Sequence, residues 1–334
     1  MEKTRRWRWG VNRWLVLLFI VIGVFASRAY APILPHVQLP AETLSEKPLF
    51  TLPLVGEIRL TNTMVAMLIA DALLLVLAVF VRRAVNSGRM VMQGVTGVVE
   101  AILEALYNLT ESTAGKWARS IFPWMATIVL FVLVVNWMEL IPGVDSIGLI
   151  HEAEGEGGHP AQEIGRLGGL PLLATVKESV DGEESHAGYV VVPFVRVLST
   201  DLNFTVALAL IAVSMTQVFG VRALGLSYFT KFFNVKTLFT KPFFGVIDFG
   251  VGLLELVSEV SKVLSFSFRL FGNIFAGSVL LFVIGSLVPV LAQSGFLLLE
   301  FGVGLIQALV FGMLTMIFMS QATAGHGHEA GAHG

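Results

Sequence analysis

The sequence predicts an all-α polytopic membrane protein with about six membrane helices, the last two forming a long hairpin. Three observations lead there. Mean hydropathy is +0.79. Hydrophobic residues make up 55% of the 334 and charged residues only 14%, against roughly 25% charged in soluble domains. Uncharged runs of membrane-crossing length also recur along the chain. This composition excludes an ordinary soluble enzyme, and it excludes a disordered chain, which needs the opposite bias. The net charge of −2 leaves no basic surplus for nucleic acid. Cysteine is absent, which removes disulfides, thiolate nucleophiles and cysteine metal sites.

A hydrocarbon core about 30 Å thick takes about 20 apolar residues in a helix. Residues 14–27 are uncharged between Arg13 and Arg28. The basic start and Ala29-Tyr30-Ala31 have the pattern of a signal peptide, but Pro32 hinders cleavage. Residues 1–31 are therefore read as a membrane anchor or uncleaved signal, and 32–61 as an extracytoplasmic segment. The unit 62–142 holds the second and third crossings. Residues 63–81 are broken only by Asp71, and 121–138 are closed by Glu139. Between them, 93–114 reads as an amphipathic helix along the cytoplasmic surface. Its apolar stripe is Val95, Val98, Val99, Ile102, Leu106 and Leu109. Residues 143–196 form an acidic extracytoplasmic insertion. Its histidines His151, His159 and His186 lack ligand spacing, so no metal is expected. The fourth crossing falls in 197–222. Residues 223–322 hold the fifth and sixth. There 270–324 run 55 residues with one charge, Glu300, so the chain must turn, at Pro289 or at Gln293-Ser294-Gly295. Residues 323–334 are a His/Gly-rich tail.

Orientation follows from Lys and Arg in the loops. Of the 22 basic residues, 14 lie before the first crossing, between the second and third, or between the fourth and fifth. Six alternating crossings put all of these on one side, with both termini in the cytoplasm.

Charges inside membrane segments are costly and mark ion or proton pathways. The fifth segment carries Glu255, Glu259, Lys262 and Arg269 among Ser258, Ser261, Ser265, Ser267 and Asn273. At about 100° per residue, Glu255, Ser258, Ser265 and Asn273 all fall within about 40° of Arg269, with Ser261 and Glu259 flanking. This polar track is about 27 Å long, close to the core thickness. Gln293, Glu300 and Gln307 recur every seven residues and share a face of the last segment. An ionised Glu300 in hydrocarbon must meet water, a partner or a proton. Arg269 keeps its charge, so it acts as a fixed barrier and not as a relay.

Around Arg269 the chain reads Ser265-Phe266-Ser267-Phe268-Arg269-Leu270-Phe271-Gly272-Asn273-Ile274-Phe275-Ala276-Gly277. This resembles the signature of the subunit a family of F-type ATP synthases. Asn136-Trp137-Met138-Glu139-Leu140-Ile141-Pro142, Thr200-Asp201-Leu202-Asn203 and Gln307-Ala308-Leu309-Val310-Phe311 resemble further family motifs in the same order. The resemblance covers about residues 60–321. It implies a non-catalytic stator subunit with no cofactor, in a bacterial inner membrane. Its implied partners are a rotating ring of c subunits, a b-subunit peripheral stalk and the rest of the complex. It implies two offset half-channels for H⁺ with Arg269 between them. Glu255, Ser258, Ser261 and Ser265 match positions of the cytoplasmic half-channel. Asn136, Glu139, Glu300 and Gln307, with Asn273 near the arginine, match the other half-channel or the centre. Two departures stand out. Ser278 sits where many relatives carry an ionisable group, and Glu300 where some carry histidine. The pair thus reads as reduced to one titratable member, and Asp71 has no implied role.

Two other readings fit less well. A secondary transporter would show inverted repeats, and none is found. A membrane enzyme would need a Ser/His/Asp or His-x-x-x-His arrangement, and none is present.

Overall fold

The computed structural model describes residues 9–29, 40–45, 47–53, 56–86, 94–152, 161–167, 170–175, 189–232, 242–287 and 291–324. Seven helices follow in order: α1 (Trp9–Ala29), α2 (Asn62–Asn86), α3 (Val95–Ala114), α4 (Ala118–Trp137), α5 (Leu202–Leu224), α6 (Pro242–Leu287) and α7 (Leu291–Thr323). Five stretches among the described residues are long and apolar enough to cross a membrane. They are Asn62–Asn86, Val95–Leu140, Leu202–Leu224, Phe249–Gly285 and Ala292–Thr323. The first expected crossing falls on α1, whose apolar run is the shorter Arg13–Ile22.

In lipid, helices gain little from hiding apolar surface from one another. Close approach through small residues and hydrogen bonds between helices therefore matter more. The core follows that rule. On α7, Gly304, Ala308 and Gly312 recur every fourth residue and face α4. A side chain at Gly312 would meet Val129, and one at Gly304 would meet Asn136 and Trp137. The indole of Trp137 stacks on Phe301 at 4.6 Å and donates to its carbonyl at 3.1 Å. Around this seam, Val132, Ala209, Ala212, Phe266, Leu270, Ile274 and Phe311 form one buried cluster joining α4, α5, α6 and α7.

Helix starts and stops follow local chemistry. Asp201 caps α5, accepting from the Asn203 backbone at 2.9 Å. Its other carboxylate oxygen accepts from Thr63 of α2 at 3.3 Å. Gly115 and Gly225 end α3 and α5 with φ 50 and 65, a region glycine enters without a Cβ penalty.

Several expectations change. The fifth segment is one continuous helix of 46 residues. At 1.5 Å per residue that is about 69 Å, more than twice the core thickness, so it is not a simple perpendicular crossing. Helix α6 ends at Leu287 and α7 begins at Leu291, on either side of Pro289, so Gln293, Ser294 and Gly295 are already helical. Proline lacks the N–H that would continue the ladder, and the polar cluster has no such defect. Helix α3 does form, and one face of it is packed. Leu106 and Ala114 pack with Ile121 and Met125 of α4 and Met316 and Met319 of α7. Val95 and Val98, placed on its apolar stripe, are exposed at 72% and 60%. The helices carry the membrane architecture, but the insertion is built from strands. Strand β4 (Gly148–Glu152) pairs antiparallel with β7 (Tyr189–Pro193), and β5 (Ala161–Leu167) with β6 (Leu170–Thr175). A further short pair, β1 (Phe50–Leu52) with β2 (Gly56–Ile58), precedes α2. His159, His186, the 325–334 tail and most of the basic N-terminus lie outside the described residues.

Candidate functional site

Helices α6 and α7 run antiparallel in a steady register. Gln293 reaches Gly285, the Glu300 carboxylate lies on Gly277, and Phe311 meets Phe266 at 4.8 Å between ring centroids. Seven or eight residues forward on α7 thus match about eight back on α6. The same register sets Gln307 level with Leu270, beside Arg269. The seven-residue polar spacing on α7 therefore faces α6, and Gly285 and Gly277 leave room for it.

Two polar regions lie on either side of Arg269. The first is the serine track. Ser258, Ser261, Ser265 and Asn273 are all exposed, with Gly272 and Ala276 on the same open face. Ser261 turns its hydroxyl back to the Val257 carbonyl at 2.9 Å. Arg269 is half-buried and donates to Ser265 at 3.3 Å. Among the described residues it has no ion pair. A guanidinium in an apolar segment without a carboxylate is expensive, and this one lies on a face that none of the described helices covers.

At the start of this track Glu255 is engaged. Lys231, from the turn Gly225–Lys231, reaches Glu255 at 2.6 Å and Glu259 at 3.8 Å, and Lys262 reaches Glu259 at 2.8 Å. The turn is held down by Tyr228, whose ring sits on Gly220 and whose hydroxyl donates to Gln217 at 2.8 Å. Burial pushes the Tyr228 phenol up to about 12, helped by the negative charges of Glu259 and Glu255.

The second region is buried between α4, α6 and α7. Ser278 donates to the Glu139 carboxylate at 2.5 Å. Glu300 is 5% exposed, and Glu139 senses its charge. One oxygen of each carboxylate, Oε2 of Glu139 and Oε1 of Glu300, is buried with no hydrogen-bond partner among the described residues. Asn136 donates to the Gly304 carbonyl at 3.2 Å and accepts from Ser199 at 2.6 Å. Glu139 thus supplies a second titratable group beside Ser278, where the sequence reading counted only Glu300, and the serine also donates to the Ile274 carbonyl at 3.1 Å.

Asp145 lies next along the chain from Glu139. It sits at φ 60, its amide donates to Val195 at 3.0 Å, and its carboxylate accepts from Val197 at 3.3 Å. Burial pushes its carboxyl up to about 6, with Arg196 opposing and Glu42 adding to the rise. Arg196 donates to Thr200 at 3.2 Å and to the Pro40 carbonyl at 3.0 Å.

Of the ten residues expected at the site, the structure gathers Asn136, Glu139 and Glu300 in the buried region, with Gln307 level with Leu270 in the α6–α7 seam. It sets Glu255, Ser258, Ser261, Ser265, Arg269 and Asn273 along the outer track. The sequence reading missed Lys231, Glu259, Ser199 and the room that Gly277 leaves for the Glu300 carboxylate. Only Glu259 carried a signal, as a flanking acid. The others depend on contacts between elements.

The family model for the ATP synthase A chain matches residues 64–320. The chain belongs to that family. Relatives named ATP synthase subunit a agree. One from Gloeobacter violaceus is 30% identical over 244 residues, covering 72% of this chain and 77% of the relative. One from Teredinibacter turnerae is 29% identical over 274 residues, covering 76% of each. One from Moorella thermoacetica is 26% identical over 234 residues, covering 70% of this chain and 79% of the relative. The chain is therefore a multi-pass subunit of the ATP synthase membrane sector and belongs to the machinery of proton transport and ATP synthesis.

Proposed function

We propose that the two polar regions are two half-channels for H⁺, each reaching partway through the membrane, with Arg269 as the fixed charge between them. The carrying observation is their offset. Along α6 the nearest serine of the track, Ser265, lies four residues before Arg269, and Ser278 lies nine residues beyond it. At 1.5 Å per residue these are about 6 and 14 Å. One region is exposed and the other buried, and beyond Arg269 the exposed face carries Asn273 but no described titratable group, so no chain of titratable groups runs past the arginine on one face. A direct leak is blocked, and a carrier outside the chain must bridge the gap.

The exposed face fits a rotating ring of c subunits whose membrane carboxylates pass Arg269 one at a time. At about 4 Å and an effective dielectric near 20, such a pair is worth about 4 kcal/mol. That favours loss of the proton and still lets the ring move on. Glu139, Ser278, Glu300 and Gln307 serve the half-channel facing the extracytoplasmic insertion. Ser265, Ser261, Ser258 and Glu255 serve the cytoplasmic one. The subunit has no catalytic site of its own. It works beside a b-subunit peripheral stalk in a bacterial inner membrane, with both termini cytoplasmic.

Single cysteines at Ser261 and Gln293 test the two half-channels, since the chain has none of its own. In vesicles of defined orientation, a water-borne silver or thiol reagent reaches Ser261→Cys from the cytoplasmic side and Gln293→Cys from the opposite side. Reaction of both from one side contradicts the reading.

A further inference from the structure

We propose that Glu259 is a second proton-relay carboxylate at the cytoplasmic mouth, sharing the Lys231 ammonium with Glu255. This rests on the half-channel reading above and adds a residue and a device to it. Four charged groups meet there beside one phenol: Lys231 and the Tyr228 phenol come from the turn Gly225–Lys231, and Glu255, Glu259 and Lys262 come from α6. On the α7 side, the Lys262 ammonium lies 4.8 Å over the Phe318 ring. Lys231 lies near the rings of Tyr228 and Phe232, at 6.0 and 5.7 Å. Both lysines are thus held by aromatic faces, which attract cations.

The atoms assign the roles. Both ammonium groups approach the same oxygen of Glu259, Oε1. Its other oxygen, Oε2, is buried and has no hydrogen-bond partner among the described residues. That atom is the open proton acceptor. Glu259 also lies one helical turn nearer Arg269 than Glu255 does, on the inner side of the track.

With both acids ionised, the two lysines and two glutamates sum to zero charge. When a proton arrives on Oε2, an O–H bond forms and Glu259 becomes neutral. Lys231 then pairs with Glu255 alone, at the 2.6 Å contact already present. When the proton leaves for Glu255 or for water, the O–H bond breaks, Glu259 is again anionic, and Lys231 swings back toward its present 3.8 Å contact. The ammonium keeps its own proton throughout and only changes partner. Because either acid can hold the lysine, either can carry the proton, and losing one leaves a working mouth.

The test uses the assembled ATP synthase in inverted vesicles, with proton flux normalised to the amount of complex. The variants are Glu255→Gln, Glu259→Gln and both together. Each single substitution is expected to keep flux within a few-fold of the parent. The double substitution is expected to fall about tenfold or more below the product of the singles, as for two groups sharing one partner. A double variant no slower than Glu255→Gln alone overturns the proposal, and so does a loss confined to complex amount at constant flux per complex. If Glu259→Gln does not assemble, Glu259→Asp in the Glu255→Gln background decides, since it keeps the carboxylate. Retained flux there supports a relay, and lost flux overturns it. Arg269→Ala in the same vesicles is the separate control, because parental pumping there sinks the half-channel reading whatever Glu259 does.

Discussion

Single atoms set the two ends of the ion path. A methyl group at Gly277 would fall on the Glu300 carboxylate, in contact with both of its oxygens. Gly277→Ala should therefore push that carboxylate out of place without unfolding the helix, for which alanine is the better former. We expect ATP-driven proton pumping to fall about tenfold or more at unchanged complex amounts, since a shift of about 1 Å can cost on the order of 100-fold. Fluorescence quenching in inverted vesicles reads the rate directly. Asp145 gives a second handle. Its folded pKa of about 6 lies above the ordinary 3.8, so the fold binds this proton more tightly than the unfolded chain does. The stabilisation is fully present below pH 3.8 and is lost as pH rises through about 6, on the order of 3 kcal/mol. Asp145→Asn should flatten the fall in thermal stability across that window, measured as Tm against pH in detergent. An unchanged pH profile would contradict the buried acid. At this scale the sequence was informative only where one element holds all the partners. The face shared by Ser258, Ser265 and Arg269 follows from 100° per residue along one helix. The grip of Lys231 on Glu255 does not, because 24 residues and a turn separate them.

At the scale of elements, small residues hold the helices together. Gly312 lies against Val129 of α4, so a larger side chain there must separate α4 from α7. Gly312→Leu should cost about 1–3 kcal/mol through overpacking, read as a lowered Tm of the purified membrane sector. Gly302→Ala on the same helix meets nothing within 4 Å and is the neutral control. The five membrane-length apolar helices among the described residues were legible because hydropathy is a local property, as is the proline between the end of α6 and the start of α7. The full 46-residue length of α6 was not, since neither the apolar run nor the polar stripe carries a local mark of how far the helix continues. The strands of the insertion also escaped notice. Their pairing of Gly148 with Pro193 and Glu152 with Tyr189 joins segments about 40 residues apart, and the acidic, glycine-rich stretch between them has no strand alternation.

For the whole molecule, the arrangement is two buried or exposed polar regions separated by one arginine, carried on a helix pair that α4 and α5 brace from behind. Its orientation rests on charge alone. Cysteines at Ser87 and Ser185 should be labelled in intact cells at Ser185 only, and the reverse pattern would invert the topology. The family was legible as a string around Arg269, and the match over residues 64–320 bears that membership out. The contact of Ser278 with Glu139, and the placing of Glu300 against Gly277, needed three helices in place. The central claim is that Arg269 couples ion flow to the ring and bars a leak. The measurement that tests it most directly is proton flux in inverted vesicles carrying the assembled complex with Arg269→Ala, both ATP-driven and passive. The account predicts normal assembly, lost pumping and an added passive leak. Pumping at the parental rate, with no leak, would contradict it.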